Sequence, residues 1–319
     1  MKKVSILIPA YNEEKSLSTL YEKLKDIMDF HDKYLWEILF INDGSRDKTL
    51  AIIESLRSKD SRINYLDLSR NFGKEVAMLA GFDYVTGDCV IIMDADLQHP
   101  PQLIPEMLEY WEMGYEDVYA KRKSRGKESA LRKYLSLTFY KLLQKSTRVE
   151  VLQNVGDFRL LDRCCINVLT QMRESQRYTK GMFCWIGFKK KEILFNQEDR
   201  YAGNSSFNLC SLLDLAVEGI TSFTVVPLRI STIIGLLVSF IAFLYMCFIM
   251  IKTLVFGESV QGFPTLMTVI LFLGGIQLLS LGIIGEYIGR IFSETKNRPV
   301  YVARKYNETK LNLLCNEKM

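Results

Sequence analysis

Histidine is almost missing from this 319-residue chain, which has only His31 and His99, and its seven cysteines form no Cys-x-x-Cys pair. A zinc knuckle and a redox dithiol are therefore not indicated, and a histidine-based metal centre has too few ligands. Free thiols in a reducing compartment are the simplest reading of an odd cysteine count. Charge of one sign is also scarce. The formal net charge of +4 is too small to argue for nucleic acid and suits a protein lying against anionic lipid. Neither Gly-x-x-x-x-Gly-Lys-Ser/Thr nor Gly-x-Gly-x-x-Gly follows the first apolar run, so a P-loop or dinucleotide-type phosphate cradle is not expected. Met1-Lys2-Lys3-Val4 opens too short an apolar run for a secretion signal, which places the N-terminal region in the cytoplasm.

Long uncharged runs are present. Hydrophobic residues make up 48% of the chain beside 24% charged residues, a mixture that points to a polar domain joined to an apolar one. Ile230 to Ile251 and Phe263 to Gly285 each contain no charged residue and exceed the roughly 20 residues a membrane-crossing helix needs. Arg229 precedes the pair, and Arg290, Lys296, Arg298, Arg304 and Lys305 follow it. Positive charge at the outer ends predicts a two-helix hairpin with both termini cytoplasmic. Leu131 to Leu143 and Leu209 to Phe223 have amphipathic spacing suited either to a membrane interface or to ordinary domain packing.

The first half alternates strand and helix patterns. Val4–Ile8, Glu37–Ile41, Ile63–Leu68 and Cys89–Met93 are apolar runs of strand length, separated by helical spacing at Leu17–Leu24, Leu50–Leu56 and Val76–Val85. This order predicts an α/β domain built on a mostly parallel sheet with helices on both faces. Ligands bind such sheets outside the carboxyl ends of the strands. Carboxylates fall at three of those ends: Glu13 after the first strand, Asp43 after the second, Asp94 and Asp96 after the fourth. One such aspartate is an ordinary helix cap; carboxylates from three strand ends on one rim predict a site.

Asp94, Asp96 and Gln98 recur at a spacing of two, which lets their side chains share a face. Oxygen ligands of this kind suit Mg²⁺ or Mn²⁺ with diphosphate oxygens completing the shell. With no glycine-rich cradle, a metal must carry much of the diphosphate charge, as transfer from a nucleotide sugar requires. Asp157 and Arg159 alternate on a further strand pattern.

Val4-Ser-Ile-Leu-Ile-Pro-Ala-Tyr-Asn-Glu-Glu14, Asn42-Asp-Gly-Ser45 and Asp94-Ala-Asp-Leu-Gln-His-Pro-Pro101 resemble family-2 glycosyltransferases of the GT-A fold. Gly156-Asp-Phe-Arg-Leu160 and Gly285-Glu-Tyr-Ile-Gly-Arg290 narrow the resemblance to the polyprenyl-phosphate glycosyltransferases, similar to GtrB-type bactoprenol glucosyltransferases and dolichol-phosphate mannose synthase. It extends from Val4 to about Val302. By that resemblance Pro9, Tyr11, Glu13, Asp43, Lys74 and Asp94 line the nucleotide-sugar pocket, with Arg70 and Asn71 nearby. Asp96 and Gln98 bind the metal, and Asp96 and Asp157 sit at the reaction centre. The reaction is expected to be inverting, the assembly a tetramer, and the domains 1–207 catalytic, 208–229 interfacial, 230–291 membrane hairpin and 292–319 cytoplasmic tail.

Two anionic substrates must meet in such a site. Arg122 and Arg125, Arg159, Arg177 with Lys180, and Arg200 are the candidate acceptor and diphosphate ligands, because guanidinium matches phosphate oxygens in pairs. The acceptor would be a polyprenyl phosphate and the donor UDP-glucose or UDP-N-acetylglucosamine, with GDP-mannose as the alternative. Ser206 stands where many relatives carry lysine after Arg200-x-x-Gly203, which weakens transfer of donor specificity. A processive polysaccharide synthase would bring more spans and a Gln-x-x-Arg-Trp motif, both missing. A non-catalytic scaffold or lipid carrier would predict damage among Glu13, Asp43, Asp94, Asp96 and Asp157, and all are intact.

Overall fold

A computed structural model describes residues 1–123, 155–175, 177–195 and 262–311, with a scatter of positions between 228 and 255. The chain forms two compact units, residues 1–212 with 299–319, and residues 213–298.

The first unit is built on a nine-stranded sheet. In chain order its elements are β1 (Lys3–Ala10), α1 (Leu17–Phe30), β2 (Leu35–Asn42), α2 (Thr49–Lys59), β3 (Ile63–Leu68), α3 (Lys74–Tyr84), β4 (Cys89–Ile92), α4 (Ile104–Glu112), β5 (Asp117–Arg122), β6 (Val155–Asp162), α5 (Arg163–Leu169), α6 (Thr179–Trp185) and β7 (Lys190–Phe195). After the long helix α7 (Phe263–Thr295) come β8 (Ala303–Tyr306) and β9 (Thr309–Lys310). The strand order is β7-β5-β6-β4-β1-β2-β3-β8-β9. β4, β1, β2 and β3 run parallel, with Ala10 level with Asn42 and Ile41 level with Leu66. That register brings the carboxyl ends of these strands to one rim. The strands are apolar on both faces because helices cover both, as parallel sheets require.

Packing fixes this centre tightly. Val4, Ile6, Leu7 and Ile8 of β1 are fully buried, and so are Leu17, Leu20 and Leu24 of α1, spaced along one helical face. α3 lies so close to β1 that a Cβ on Gly81 would stand 2.1 Å from Leu7 Cδ1. The predicted parallel core is present, and β5 and β7 pair parallel, whereas β6 and β8 run antiparallel to their neighbours. β6 inserts against β4 and β5 in the opposite sense, and β8, from beyond the apolar runs, pairs antiparallel with β3. The tail after α7 thus extends the sheet of the first unit. Cys89, Cys164, Cys165 and Cys184 are all unpaired thiols.

In the second unit α7 spans 33 residues, about 50 Å at 1.5 Å per residue. Its part Phe272–Thr295 is long and apolar enough to cross a membrane. Leu278 and Leu281 are 71% and 65% exposed, a surface that suits lipid better than water. Ser231, from the other uncharged run, lies 2.9 Å from Ser280 of α7, hydroxyl to hydroxyl. Most of the first run, and the stretches Leu131–Leu143 and Leu209–Phe223, lie outside the described residues.

Candidate active site

The loops after β1, β2 and β3 are laced into one rim by short-range polar contacts. Asn12, at φ +56°, donates its amide to Ser45 Oγ (3.1 Å) and accepts from the Arg46 amide through Oδ1 (2.9 Å). The Glu13 amide donates to Thr49 Oγ1 (2.8 Å), while the Glu13 carboxylate accepts from Ser16 Oγ (2.8 Å). Pro9 is half-buried at the end of β1, and Tyr11 just beyond it is 42% exposed. Gly44 has φ +65°, and a Cβ there would stand 2.4 Å from the Arg70 carbonyl carbon. The third loop therefore rests directly on Gly44. A cleft of about 270 Å³ opens beside this contact, between Gly44–Arg46 and Asp67–Asn71, with Arg304 of the tail on its wall. Gly44→Ala should combine backbone strain with a clash that only main chain can relieve, costing about 2 kcal/mol or more. A fall in donor affinity together with a lower melting temperature would confirm it.

Asp43 is 3% exposed, and its two oxygens accept from the Phe72 (2.7 Å) and Gly73 (2.9 Å) amides. Burial raises its pKa against the pull of these two amides. The sequence placed Asp43 in the nucleotide pocket; its carboxylate organises the turn that begins α3. Gly73 precedes the helix at φ +95°, and Lys74 is the first residue of the helix.

Lys74 reaches across the rim. Its Nζ lies 2.5 Å from Asp94 Oδ1 and 2.6 Å from Asp157 Oδ2, joining the end of β4 to β6. Its side chain is 40% exposed, that of Asp94 26% and that of Asp157 8%, so the bridge runs from solvent at Lys74 to a buried carboxylate at Asp157. Burial opposes all three charges, and the charges overcome it together. Lys74 is held protonated by Asp94 and Asp157, its pKa raised. Desolvation opposes ionisation of Asp157, yet Lys74 and then Lys180 depress its pKa far below the ordinary carboxylate value. Asp94 is likewise lowered, Lys74 outweighing burial. The second oxygen of Asp157, Oδ1, is buried with no hydrogen-bond partner among the described residues.

After β4 the burial alternates. Asp94, Asp96 and Gln98 are partly exposed, whereas Ala95, Leu97 and His99 are 3%, 6% and 2% exposed. The three candidate oxygen ligands thus share the open side, as their spacing predicts. Leu97 adopts φ +64°, a conformation costly for a bulky side chain and found chiefly where function requires it. The turn lets Asp96 Oδ1 accept from the Gln98 amide (3.1 Å). No group of three His, Cys, Asp or Glu side chains able to hold a metal occurs among the described residues. The donor set fits a hard cation only if ligand oxygens supply most of its shell. His99 is not among the open-side donors: it stacks on Phe158 with ring centres 5.0 Å apart, and its Nδ1 accepts from the Asp94 amide at 3.4 Å. Burial lowers its pKa, so it stays neutral, a packing partner beneath the acidic turn.

The candidate anion ligands are dispersed. Arg122 ends β5 near Gly156, its Nη2 4.0 Å from the position a Cβ would take there. Lys180 lies in the first turn of α6, close enough to Asp157 to lower its pKa. The Arg177 side chain has no exposure; its Nη1 donates to the Met172 carbonyl, while Nε and Nη2 are buried without partners among the described residues. Arg159 is placed differently from its expected role. It is 1% exposed, paired with buried Asp117 at 3.1 Å and stacked 3.9 Å over the Phe183 ring, so it braces β6 from inside. Arg125, Arg200 and Ser206 lie outside the described residues.

The rim beyond the parallel strands is lined by carboxylates, with a lysine between two aspartates. Residues 5–167 match glycosyl transferase family 2, and residues 226–291 match the GtrB C-terminal hairpin. The chain belongs to glycosyl transferase family 2 and is a glycosyltransferase. It is 43% identical over 303 residues to the bactoprenol glucosyl transferase of Shigella phage SfII, covering 95% of this chain and 98% of that one. A prophage bactoprenol glucosyl transferase homologue of Escherichia coli K12 is 42% identical over 303 residues, covering 95% and 99%. An uncharacterised glycosyltransferase of Synechocystis, sll0501, is 43% identical over 299 residues, covering 94% of each chain. The hairpin match and the apolar helix associate the chain with a membrane.

Proposed function

We propose that the chain transfers a sugar from a nucleotide sugar, UDP-glucose or UDP-N-acetylglucosamine, to undecaprenyl or another polyprenyl phosphate, with inversion at the anomeric carbon. The observation that carries this reading is the Lys74 bridge between Asp94 and Asp157. It sets the open face of Asp94, Asp96 and Gln98 beside β6, which pairs antiparallel with β4. The names of the relatives support the lipid acceptor and favour glucose.

Tyr11, Glu13 and the Asp43-ordered loop would hold the nucleoside, Tyr11 offering an exposed ring for stacking. Asp96 and Gln98 would hold Mg²⁺ or Mn²⁺, which when bound neutralises the leaving diphosphate. Lys74 keeps Asp94 and Asp157 ionised and fixed. Asp157 then has one oxygen committed to Lys74 and the other, Oδ1, without a partner among the described residues, a position from which to orient the sugar or the acceptor. The acceptor needs little deprotonation, because the second pKa of a phosphate monoester lies near 6. Arg122 and Lys180 are the described cations open to the acceptor phosphate, whereas Arg177 is buried behind them; Arg125 and Arg200 are assigned by sequence. Residues 230–291 would anchor the domain as two spans, residues 208–229 would lie at the interface, and the sheet-forming tail would stay on the cytoplasmic side. A tetramer agrees with the glycines of α7, which allow close helix contact.

Membranes carrying the protein, incubated with undecaprenyl phosphate and radiolabelled UDP-glucose, UDP-N-acetylglucosamine or GDP-mannose, test this directly. One UDP-sugar should label a solvent-extractable lipid. EDTA should abolish the label, added Mn²⁺ or Mg²⁺ should restore it, and Asp96→Ala should lack it. Labelling from GDP-mannose alone would replace the donor assignment. No labelled lipid from any donor would sink the reading.

A further inference from the structure

Lys74 and Glu75 are neighbours in the first turn of α3, and they reach in different directions. Lys74 joins the two aspartates. Glu75 Oε2 accepts from the Thr179 amide at 2.9 Å, across 104 residues of chain. That amide opens α6, whose N-cap residue, Tyr178, makes no side-chain capping hydrogen bond. The first turn of a helix needs acceptors for its amides, and here another helix provides one. Lys180 is next in sequence, and its charge acts on both Glu75 and Asp157.

The opposite end of α3 holds the same segment. Asp83 takes both Arg173 nitrogens at 2.7 Å, and Tyr301 of the tail donates its hydroxyl to Asp83 Oδ2, also at 2.7 Å. The stretch from Arg173 to Lys180 is therefore clasped at both ends by one helix. Between the clasps lies Arg177, its side chain fully buried with Nε and Nη2 unpartnered among the described residues. Its Nη1 donates to the Met172 carbonyl and lies 4.0 Å from Glu174 Oε2, so the guanidinium ties the segment to itself from inside.

We infer that Glu75 is a positioning residue for the acceptor: it holds the Arg177–Lys180 segment on the same helical turn that carries Lys74. The acceptor phosphate and the donor-side carboxylates are thereby set in one register. Glu75 itself touches neither substrate. The inference rests on the transferase reading above, in which Lys180 faces the acceptor.

Full-length protein in detergent or nanodiscs, assayed with undecaprenyl phosphate and the active UDP-sugar, provides the test. Glu75→Ala should raise the acceptor KM about tenfold, the low end of the loss seen when an outer-shell orienting partner is removed, and leave the donor KM within about twofold. Glu75→Gln keeps an oxygen that can accept from Thr179 and should recover most of the loss. A purely structural role would lower kcat without splitting the two KM values. Equal rises in both, or no recovery by Glu75→Gln, would overturn the inference. Hydrogen exchange gives a readout independent of substrate: the Thr179 amide should lose protection in Glu75→Ala and retain it in Glu75→Gln. Unchanged protection in Glu75→Ala would also overturn it. If the wild type labels no lipid, the transferase reading fails, and the exchange result alone still decides whether Glu75 holds the segment.

Discussion

Lys74→Met should lower kcat/KM for sugar transfer by about 10²–10³-fold or more, the range seen when one preorganised charge-stabilising donor is removed. Two carboxylates now share that ammonium at 2.5 and 2.6 Å. Without it they face one another across a partly desolvated gap, and one of them must take up a proton near neutral pH. The protonated partner no longer attracts a metal or orients a hydroxyl. Global stability should change far less. The lysine side chain is 40% exposed, so water takes over part of its role and the loss should be about 1 kcal/mol. In a domain this size that is a melting shift of roughly 2–4 °C. Lys74→Arg should rescue poorly, since a planar fork cannot sit between two oxygens as a compact ammonium does. Steady-state kinetics beside thermal unfolding checks the pair of expectations. A collapse in melting temperature matching the loss of activity would mean the bridge is chiefly structural.

The bridge also shows where sequence reading stops. The central strands were legible because burial on both faces leaves runs such as Val4–Ile8 and Ile38–Ile41 with no polar interruption beyond Ser5. The acidic rim was legible for the same reason, since strand ends in parallel sheets mark the ligand edge. Contact between Lys74 and Asp157 was not. It depends on β6 entering antiparallel beside β4, with Ile92 opposite Arg159, and no local pattern records that neighbour. β8 was hidden too. Ala303-Arg-Lys-Tyr306 has no apolar alternation, because this short strand is held by backbone pairing to β3 and β9 and buries only Ala303.

Arg159 shows the converse difficulty. A period of two correctly groups it with Asp157 on one strand face, but spacing cannot say that Asp117 waits beside it. Arg159 and Asp117 are 1% and 0% exposed, so each needs the other. Glu75 gave no signal as a site residue, since it reads as an ordinary acid in the first turn of a helix. Only the Thr179 amide 104 positions away gives it a task.

Asp157→Asn is the sharpest test of mechanism. It should cost about 10²–10³-fold in kcat while leaving the shape of the pH–rate profile intact. Desolvation pushes the carboxylate up, but Lys74, then Lys180, holds its pKa well below the ordinary value. A base so depressed is already ionised throughout neutral pH, and it has little drive to take a proton from an acceptor hydroxyl. The group that does titrate in this range is the acceptor phosphate, near pH 6. Wild type should therefore lose activity as pH falls through about 6, and Asp157→Asn should keep that limb at a lower plateau. The same depressed pKa has a stability consequence. A carboxylate lowered in the folded state adds stability above its unfolded pKa, and loses it only as pH falls through the folded value. Unfolding measured from pH 7 to pH 5 should thus show no destabilisation traceable to Asp157, whereas below about pH 4 the wild-type advantage over the mutant should shrink. Disappearance of the pH 6 limb in Asp157→Asn would make this aspartate a true general base and assign the proton transfer to it.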